Sequence, residues 1–489
     1  FNTLTVSTTD SYGADIYDSS AITIASATVG GTFTLASGGA IGQSGAITAN
    51  AFNVSSTGGA ITLSNSDNSF GTLTASTSGS NNATIYDSSA VTVVSANVGG
   101  TFALTSAGAI GQSGAITADA LNVSSTGGAI TLNNSGNGLG TLTISTSASY
   151  DASVKDSTAV TVASAHVGGT FALTSAGAIG QSGTITANAL NVSSTGSVIT
   201  LSNSSNAFNT LTASTSGNDN ATIYDSTAIT VASANIGGTF ALTSAGAIGQ
   251  SGAITTNAFN VSSTGGAITL GNSGNGFNTL TVSTSGSNNA TIYDASAITV
   301  ASAHVGGTFT LTSAGAIGQN DPIIVNALNV TSTGGAITLN DPGNAFGALT
   351  LSSGAYGATV YDTANLIVNA ATANGGLTLL TKGNLTFVSS VQVTNGNLLA
   401  VAGWDGTTTA PASLVTGNAY GNNGGSIIIG GAGALSGVAV GASGAGTLAA
   451  NNITLSAING YAQFGTHGSG VGVLTTIAKG NIALNAGSA

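Results

Sequence analysis

The chain has 489 residues, only 4% of them are charged, and its formal net charge is −12 at pH 7. Arg, Glu, Met and Cys are absent, and the three basic side chains apart from His are Lys155, Lys382 and Lys479. Nucleic acids and anionic membranes are bound through clusters of Lys and Arg, so this composition argues against both as partners. Without Cys there is no disulfide framework.

One sequence motif, which we call the phrase, recurs along the chain at a constant period. Gly-Gly-Thr-Phe begins at Gly30, Gly99, Gly168, Gly237 and Gly306, and Ala-Ile-Gly-Gln begins at Ala40, Ala109, Ala178, Ala247 and Ala316. A fixed period of this size is the signature of stacked repeats that share one continuous core. We expect five repeats over residues 1–345, a degenerate sixth repeat over 346–403 and a less regular continuation over 404–489. Because Phe1 falls in mid-phrase, we interpret the chain as a segment of a longer protein.

Within each repeat the apolar residues alternate with polar ones in short bursts, such as Phe102 and Leu104, or Ile130 and Leu132. Alternation with period two, interrupted every few residues by Gly, Asn or Ser, predicts short strands joined by tight turns. Eight or nine such strands divide a repeat into three coils of about 23 residues, stacked at the strand spacing. The sequence therefore predicts an all-β, right-handed parallel β-helix (β-solenoid) built from 69-residue, three-coil repeats.

Three recurring apolar positions are predicted to point into the core. They are Phe33, Phe102, Phe171, Phe240 and Phe309; Phe52, Leu121, Leu190, Phe259 and Leu328; and Leu63, Leu132, Leu201, Leu270 and Leu339. Thr, Ser and Asn between them are predicted to point outward. The surface would then be made of hydroxyl and amide groups rather than ions.

The phrase changes near Trp404, the single Trp of the chain. Gly403-Trp-Asp-Gly-Thr-Thr-Thr-Ala-Pro411 predicts the start of a projecting loop over 404–425, and apolar bursts resume after it. The uncharged stretch 427–450 is rich in Gly and Ser and lacks the dense apolar content of a spanning helix, so we expect no membrane span.

The phrase Val-Gly-Gly-Thr-Phe-x-Leu-Thr-Ser-Ala-Gly-Ala-Ile-Gly-Gln-Ser-Gly-x-Ile-Thr, followed by Ser-Thr-Gly-Gly-Ala-Ile-Thr-Leu, resembles the shaft repeats of filamentous-haemagglutinin-type exoproteins. Val401-Ala-Gly-Trp-Asp-Gly and Gly460-Tyr-Ala-Gln-Phe-Gly-Thr-His-Gly are similar to the region that follows such repeats. The resemblance implies a large bacterial adhesin at the cell surface or in the secreted matrix. It also implies export by two-partner secretion through an outer-membrane transporter. The family's secretion domain is not among these residues, so the export route rests on the resemblance.

The most regular polar feature is an Asp that closes one burst in each repeat, at Asp18, Asp87, Asp156, Asp225, Asp294 and Asp362. Five of the six follow a Tyr, and Lys155 takes that place before Asp156. Ile85 points inward, so Tyr86 should point outward. A row of exposed Tyr every third coil would contact a glycan or a neighbouring copy, and the candidate contact residues are Tyr86, Tyr224, Tyr293, Tyr361 and Trp404. The alternative is that Asp turns the chain and Tyr packs flat on the sheet.

We predict neither a cofactor nor a metal. Equivalent Asp residues three coils apart would be separated by roughly 14 Å, whereas Ca²⁺ needs oxygen ligands at about 2.3–2.6 Å. The exception would be an isolated site near Asp10, Asp15 and Asp18. His166 and His304 share a position that we interpret as a surface turn.

Asn-x-Ser/Thr sequons recur in phase with the repeat, at Asn53, Asn122, Asn191, Asn260 and Asn329. Asn53 lies between the inward residues Phe52 and Val54, so its side chain should face solvent. These five Asn are candidate glycosylation sites. In a chain so rich in Asn, Ser and Thr, chance and turn preference are the alternative explanation.

For function we expect the structural shaft of a secreted bacterial surface adhesin or biofilm-matrix fibre, mediating cell-surface or cell–cell attachment. Its partner would be a host or surface glycan or protein receptor, or neighbouring copies of itself. The alternative is a self-assembling extracellular fibre or surface-layer component without a specific receptor. We predict that the chain is not an enzyme, because glycosidases need close carboxylate pairs and the Asp residues here stand mostly at isolated turns. An ice-binding array is disfavoured because the Thr-x-Thr pairs, such as Thr72-Leu-Thr74, do not return in every coil.

Overall fold

The computed structural model describes residues 1–388, 391–404 and 406–407, and beyond these the backbone of six short strands between residues 427 and 486. The chain divides into two units, Phe1–Ala241 and Leu242–Ala489. Within each unit parallel strands stack as a β-solenoid, which confirms the predicted fold class. The described residues form no helix, so none of their segments is a helix long and apolar enough to cross a membrane.

The strands that begin in the first unit are β1 (Thr3–Ser7), β2 (Ala14–Asp18), β3 (Ile22–Ser37), β4 (Ile41–Gln43), β5 (Ile47–Ser56), β6 (Ile61–Leu63), β7 (Ser69–Thr77), β8 (Ala83–Asp87), β9 (Val91–Ser106), β10 (Ile110–Gln112), β11 (Ile116–Ser125), β12 (Ile130–Leu132), β13 (Gly138–Thr146), β14 (Ala152–Asp156), β15 (Val160–Ser175), β16 (Ile179–Gln181), β17 (Ile185–Ser194), β18 (Ile199–Leu201), β19 (Ala207–Thr215), β20 (Ala221–Asp225) and β21 (Ile229–Ser244).

The strands of the second unit are β22 (Ile248–Gln250), β23 (Ile254–Ser263), β24 (Ile268–Leu270), β25 (Gly276–Thr284), β26 (Ala290–Asp294), β27 (Ile298–Ser313), β28 (Ile317–Gln319), β29 (Ile323–Ser332), β30 (Ile337–Leu339), β31 (Ala345–Ser353), β32 (Ala358–Asp362), β33 (Leu366–Ala373), β34 (Leu377–Thr381), β35 (Leu385–Phe387), β36 (Val391–Val393), β37 (Leu398–Ala402), β38 (Ile427–Ile429), β39 (Thr447–Ala450), β40 (Ile453–Ala457), β41 (Ala462–Phe464), β42 (Thr475–Ala478) and β43 (Ile482–Ala486).

The recurring Gly-Gly pair allows one long strand to bend within each repeat. In β3, the register against β5 shifts between Val29 and Thr32, so that Gly30 and Gly31 form a bulge. A Cβ on Gly30 would lie 1.5 Å from the carbonyl oxygen of Asp10 in the preceding coil. Only glycine permits this approach, and the long strand therefore changes direction without a loop.

The coils are shorter than the sequence predicted. Residues that pair between neighbouring coils of the first unit lie closer together in the chain than the prediction requires, as Phe33 with Phe52 and Ile130 with Ala152 show. Seven successive pairings lead from β8 to β20, its equivalent two repeats later, through β9, β11, β13, β15, β16 and β18. One repeat is therefore about three and a half coils of about 20 residues, and the prediction of three coils of about 23 residues is wrong.

The extra half coil decides which side of the solenoid each repeat presents. Equivalent residues of neighbouring repeats lie on roughly opposite sides, and those of alternate repeats return to the same side. The second unit has the same arrangement, because seven pairings also lead from β22 to β35, through β24, β26, β27, β29, β31 and β33.

The core consists of the predicted inward positions. All fifteen residues of the three predicted sets are at most 1% exposed. Phe33, Phe52 and Leu73 pair in succession along one column, and the rings of Phe33 and Phe52 stack with centroids 5.3 Å apart. Each buried Phe or Leu side chain contributes roughly 1.5–3 kcal/mol of hydrophobic stabilisation.

Beyond Phe387 the coils of the second unit become longer. Leu366 still pairs with Leu385 one ordinary coil later, whereas Leu385 pairs with Ile427 and Leu398 pairs with Ile453. The length of chain between paired strands therefore more than doubles. These strands lie in the predicted irregular continuation. The predicted loop over 404–425 lies outside the described residues, apart from Trp404, Gly406 and Thr407.

Candidate functional site

The Gln of each Ala-Ile-Gly-Gln motif pairs with a buried Asn in the next coil. In the second repeat Gln112 closes β10, and Asn137 lies in the turn between β12 and β13. Gln112 Nε2 donates to Asn137 Oδ1 at 2.8 Å, and Asn137 Nδ2 donates to Gln112 Oε1 at 3.0 Å. Asn137 is 0% exposed. The two amides therefore form a closed pair, which we call the Gln–Asn corner.

The same Asn holds the backbone of three strands. Asn137 Oδ1 also accepts the backbone N–H of Ile116 in β11, at 2.9 Å. Its Nδ2 shares its two hydrogens between Gln112 Oε1 and the carbonyl oxygens of Leu132, at 3.1 Å, and Lys155, at 2.9 Å. A buried polar group is stable only when its hydrogen bonds are made, and here one amide satisfies backbone groups of successive coils.

The corner recurs in every full repeat. The pairs are Gln43–Asn68, Gln112–Asn137 and Gln181–Asn206 in the first unit, and Gln250–Asn275 and Gln319–Asn344 in the second, each with Nε2 to Oδ1 at 2.8 Å. The sequence analysis found the Gln and missed the Asn. The signal was present, since each Asn follows its Gln at the same distance along the chain.

The recurring Asp is a buried carboxylate. Asp87 is 0% exposed; its Oδ2 accepts the N–H of Phe70 at 2.9 Å, and its Oδ1 accepts the N–H and hydroxyl of Ser89 at 2.6 and 2.7 Å. Burial raises the pKa of Asp87, and these hydrogen bonds offset part of that rise. Asp87 thus caps the start of β7 in the preceding coil, and its bonds to Ser89 hold the turn that follows β8.

The equivalent carboxylates repeat this contact. Their donors are the backbone N–H groups of Leu139 to Asp156, Phe208 to Asp225, Phe277 to Asp294 and Phe346 to Asp362. Burial raises the pKa of all four, and that of Asp362 to about 6. Asp18 is also buried, and its Oδ1 accepts the N–H and the hydroxyl of Ser20, both at 2.8 Å.

The tyrosines before these carboxylates do not form an exposed row. Tyr86, Tyr224 and Tyr293 are half-buried, whereas Tyr17 is 72% exposed and Lys155 is exposed. The half-coil displacement places Tyr86 and Tyr224 seven coils apart on one side of the first unit, with Lys155 roughly opposite. A row on one face every third coil is therefore wrong. Contact through the individual half-buried rings stays a prediction.

Tyr361 and Trp404 lie in the interior of the second unit. Trp404 is 0% exposed and Tyr361 8%, and their ring centroids are 4.8 Å apart. Leu380 and Val401 complete this cluster. The prediction of a surface contact at these two side chains is wrong, because stacking coils place the aromatic rings in the core.

The sequon residues differ in exposure. Asn122, Asn191 and Asn260 are exposed, whereas Asn53 and Asn329 are half-buried, and Asn329 Nδ2 donates to Thr310 Oγ1 at 3.4 Å. Their glycosylation stays a prediction.

Histidine and carboxylate side chains do not gather around a common point in the described ranges. No three of them are placed to hold a metal ion there, and this includes Asp10, Asp15 and Asp18. His166 is exposed, and its Nδ1 is 2.6 Å from Thr186 Oγ1 in the next coil.

Two shallow grooves lie on the first unit. One, of about 480 Å³, is lined by Ala21, Thr23, Ala40, Gly42 and Thr62, among others. The other, of about 350 Å³, includes Asp119 beside Gly138 and Gly140. Small side chains and hydroxyls dominate the linings, and neither contains a cation or an aromatic ring.

Comparison with known proteins identifies the repeats. The family described as "Repeats of unknown function (DUF5649)" matches residues 13–77, 80–146, 149–215, 218–284 and 287–352. No curated protein and no solved structure matches the chain.

Proposed function

We propose a structural function for this chain, which belongs to the family of repeats of unknown function DUF5649. It would form the shaft of a secreted bacterial surface adhesin or biofilm-matrix fibre that mediates cell-surface or cell–cell attachment. One observation carries the proposal: the recurring polar side chains of each repeat form hydrogen bonds that hold neighbouring coils together. In the second repeat Gln112 and Asn137 close a corner and Asp87 caps a strand.

This use of polar groups suits a shaft. A stacked repeat gains its stability from contacts with its neighbours, so repeats are added without redesigning the core. Each added repeat here brings its own Gly-Gly bend, Gln–Asn corner and buried Asp. Stability therefore accumulates along the described part of the stack without ion pairs between side chains, which agrees with only three Lys residues in the chain.

Attachment requires a partner and a location. We propose a host or surface glycan or protein receptor as the partner, and the bacterial surface or the secreted matrix as the location. The half-buried tyrosines Tyr86, Tyr224 and Tyr293 are the remaining candidate contacts. Export through an outer-membrane two-partner transporter rests on the resemblance to filamentous-haemagglutinin-type shafts.

One observation favours the alternative of a self-assembling fibre without a specific receptor. Because neighbouring repeats are displaced by half a coil, each unit presents the same repeat surface on roughly opposite sides. A copy could then contact a neighbour on both sides through equivalent residues. With only 4% charged residues, little local charge opposes such close approach.

The test compares attachment of a strain lacking the gene with its parent, on surfaces and between cells. We expect attachment to be lost, and to return with the intact gene. A gene lacking residues 70–207 provides a matched variant, because this deletion removes two repeats, or seven coils, and keeps the following coils in phase. It should restore attachment if these repeats act as a shaft.

Unchanged attachment of the strain that lacks the whole gene, with the chain present on the parent's surface, would contradict the adhesin. Electron microscopy of the purified chain then decides the alternative. Bundles or sheets would support self-assembly, and isolated particles at all concentrations would contradict it.

A further inference from the structure

Each repeat from the second to the degenerate sixth buries a carboxylate without an opposite charge. Asp87 is the last residue of β8. Its side chain lies beside the start of β7, and Ser106 in the second half of β9 is its partner in the β-ladder. Its oxygens accept three hydrogen bonds, from Phe70 and Ser89, and all three donors are neutral. Hydrogen bonds from neutral donors compensate a buried charge only in part.

The groups around Asp87 supply no cation. The titratable side chains on its own strand and on the elements packed against it are Tyr86 and Asp67. Asp67 is exposed and Tyr86 is half-buried, and neither contributes to the shift at Asp87. Desolvation therefore acts on this carboxylate without a compensating charge.

Asp156 has similar surroundings, except that two basic residues lie on the neighbouring backbone. Lys155 precedes it in β14, and His166 lies in β15, which packs beside it. Both side chains are exposed, and neither contributes to the shift at Asp156.

Next to Asp225, Asp294 and Asp362 the titratable neighbours are the preceding tyrosines, His304 in β27 and Lys382 after β34. None of them contributes to the shifts at these three carboxylates. Among the described residues, no Lys or His side chain forms an ion pair with a buried carboxylate of either unit.

We propose that the buried aspartates Asp87, Asp156, Asp225, Asp294 and Asp362 form a pH-sensitive device that strengthens the solenoid in acid. Taking up a proton removes a buried charge while the strand caps remain. The solenoid would therefore be most stable where most proteins begin to lose stability. This inference is independent of the proposed attachment function.

The direction follows from proton linkage. An unfolded Asp titrates near pH 3.9, and burial raises the pKa of these five in the folded chain. The folded state then binds more protons, so its stability falls as pH rises through the folded pKa and is highest below the unfolded one. For Asp362, with a folded pKa of about 6, this corresponds to a roughly 100-fold change in the unfolding equilibrium constant.

The experiment measures the urea midpoint of the whole chain between about pH 7 and about pH 4, at high salt, because the stabilisation is complete only near the pKa of unfolded Asp. High salt screens repulsion between exposed carboxylates and leaves buried groups little affected. The double variant Asp87→Asn, Asp156→Asn removes two buried charges. The matched control, Asp67→Asn, Asp119→Asn, removes two exposed charges, and the equivalents of Asp119 include Asn50 and Asn188.

We expect the wild-type midpoint to rise as the pH falls, the buried variant to rise less, and the exposed control to rise as the wild type does. An equal rise in both variants, or a wild-type midpoint that falls towards pH 4, would overturn the proposal. If the buried variant does not fold, infrared spectra of the wild type decide. A carbonyl band of protonated carboxyl groups should persist above the pH at which exposed Asp ionises, and its absence would overturn the proposal.

Discussion

Replacing Asn137 with Ala removes the side chain on which one corner of the second repeat depends. The variant leaves the N–H of Ile116 without its acceptor, and the carbonyl oxygens of Leu132 and Lys155 without one donor each. Gln112 also loses both of its bonds to the Asn. The site is 0% exposed, so bulk water does not replace these bonds.

The cost can be worked from these groups. A buried donor or acceptor left unsatisfied costs about 1–3 kcal/mol, and a carbonyl that keeps a ladder bond loses less than an orphaned N–H. We therefore expect the local free energy of opening to fall by about 3 kcal/mol. At 1.4 kcal/mol per tenfold, this is a roughly 100-fold increase in local opening.

Native-state hydrogen exchange is the suitable assay, because a stacked-repeat protein does not unfold as a single two-state unit. The amide of Ile116 should exchange roughly 100-fold faster in Asn137→Ala. The amide of Ile185 serves as an internal control, since Asn206 Oδ1 accepts it at 2.9 Å in the next repeat. Asn133→Ala, at an exposed position in the same turn, should leave both amides unchanged.

A double-mutant cycle isolates the amide pair itself. Gln112→Ala should cost less than Asn137→Ala, because the Asn keeps its three backbone contacts. The coupling between the two changes should be about 1–2 kcal/mol. If Ile116 exchanges at the same rate as Ile185 in Asn137→Ala, the corner does not hold the coils and our reasoning fails.

Three further predictions test the bend, the core and the aromatic cluster. A Cβ on Gly99 would lie 1.6 Å from a carbonyl oxygen, whereas one on Gly111 meets nothing closer than 3.7 Å; Gly99→Ala should therefore lower the thermal midpoint sharply and Gly111→Ala should not. Phe171→Ala should lower the local free energy of opening of its coils, measured by native-state hydrogen exchange, by roughly 3–5 kcal/mol and Phe171→Leu by much less, because truncation to Ala leaves a larger cavity. Trp404 should emit at short wavelength and resist aqueous quenchers in the folded chain; red-shifted, readily quenched emission would contradict its packing against Tyr361.

The strands and the core could be predicted because both depend on local pattern. Period-two alternation and the spacing of Gly identify the strands, and inward positions such as Phe33 and Leu63 follow from the phase of that alternation. Coil length depends instead on which strand lies above which, and this is a long-range property. Since 69 is divisible by three, the sequence favours a whole number of coils, and the observed pairings, such as Phe33 with Phe52 and Ile130 with Ala152, break that assumption.

The candidate site was harder to predict than the core. Asn137 looks like an ordinary turn residue, and only its fixed distance from Gln112 distinguishes it. Trp404 was misplaced because the phrase is lost around it, so the inward or outward phase of its side chain could not be derived. The Asp positions were found, but their role as buried caps depends on backbone donors such as Phe70 N–H in the preceding coil.

The half-coil displacement limits how a repeated ligand could use the surface. On one side of a unit, equivalent side chains return only after seven coils, or about 34 Å at the strand spacing. A flat array that binds a lattice such as ice needs matching groups in every coil, and this arrangement does not provide them. Contacts are better made by separate sites on roughly opposite sides, as at Tyr86 and Lys155. Such separated contacts suit the proposed shaft, or one filament within a bundle of filaments.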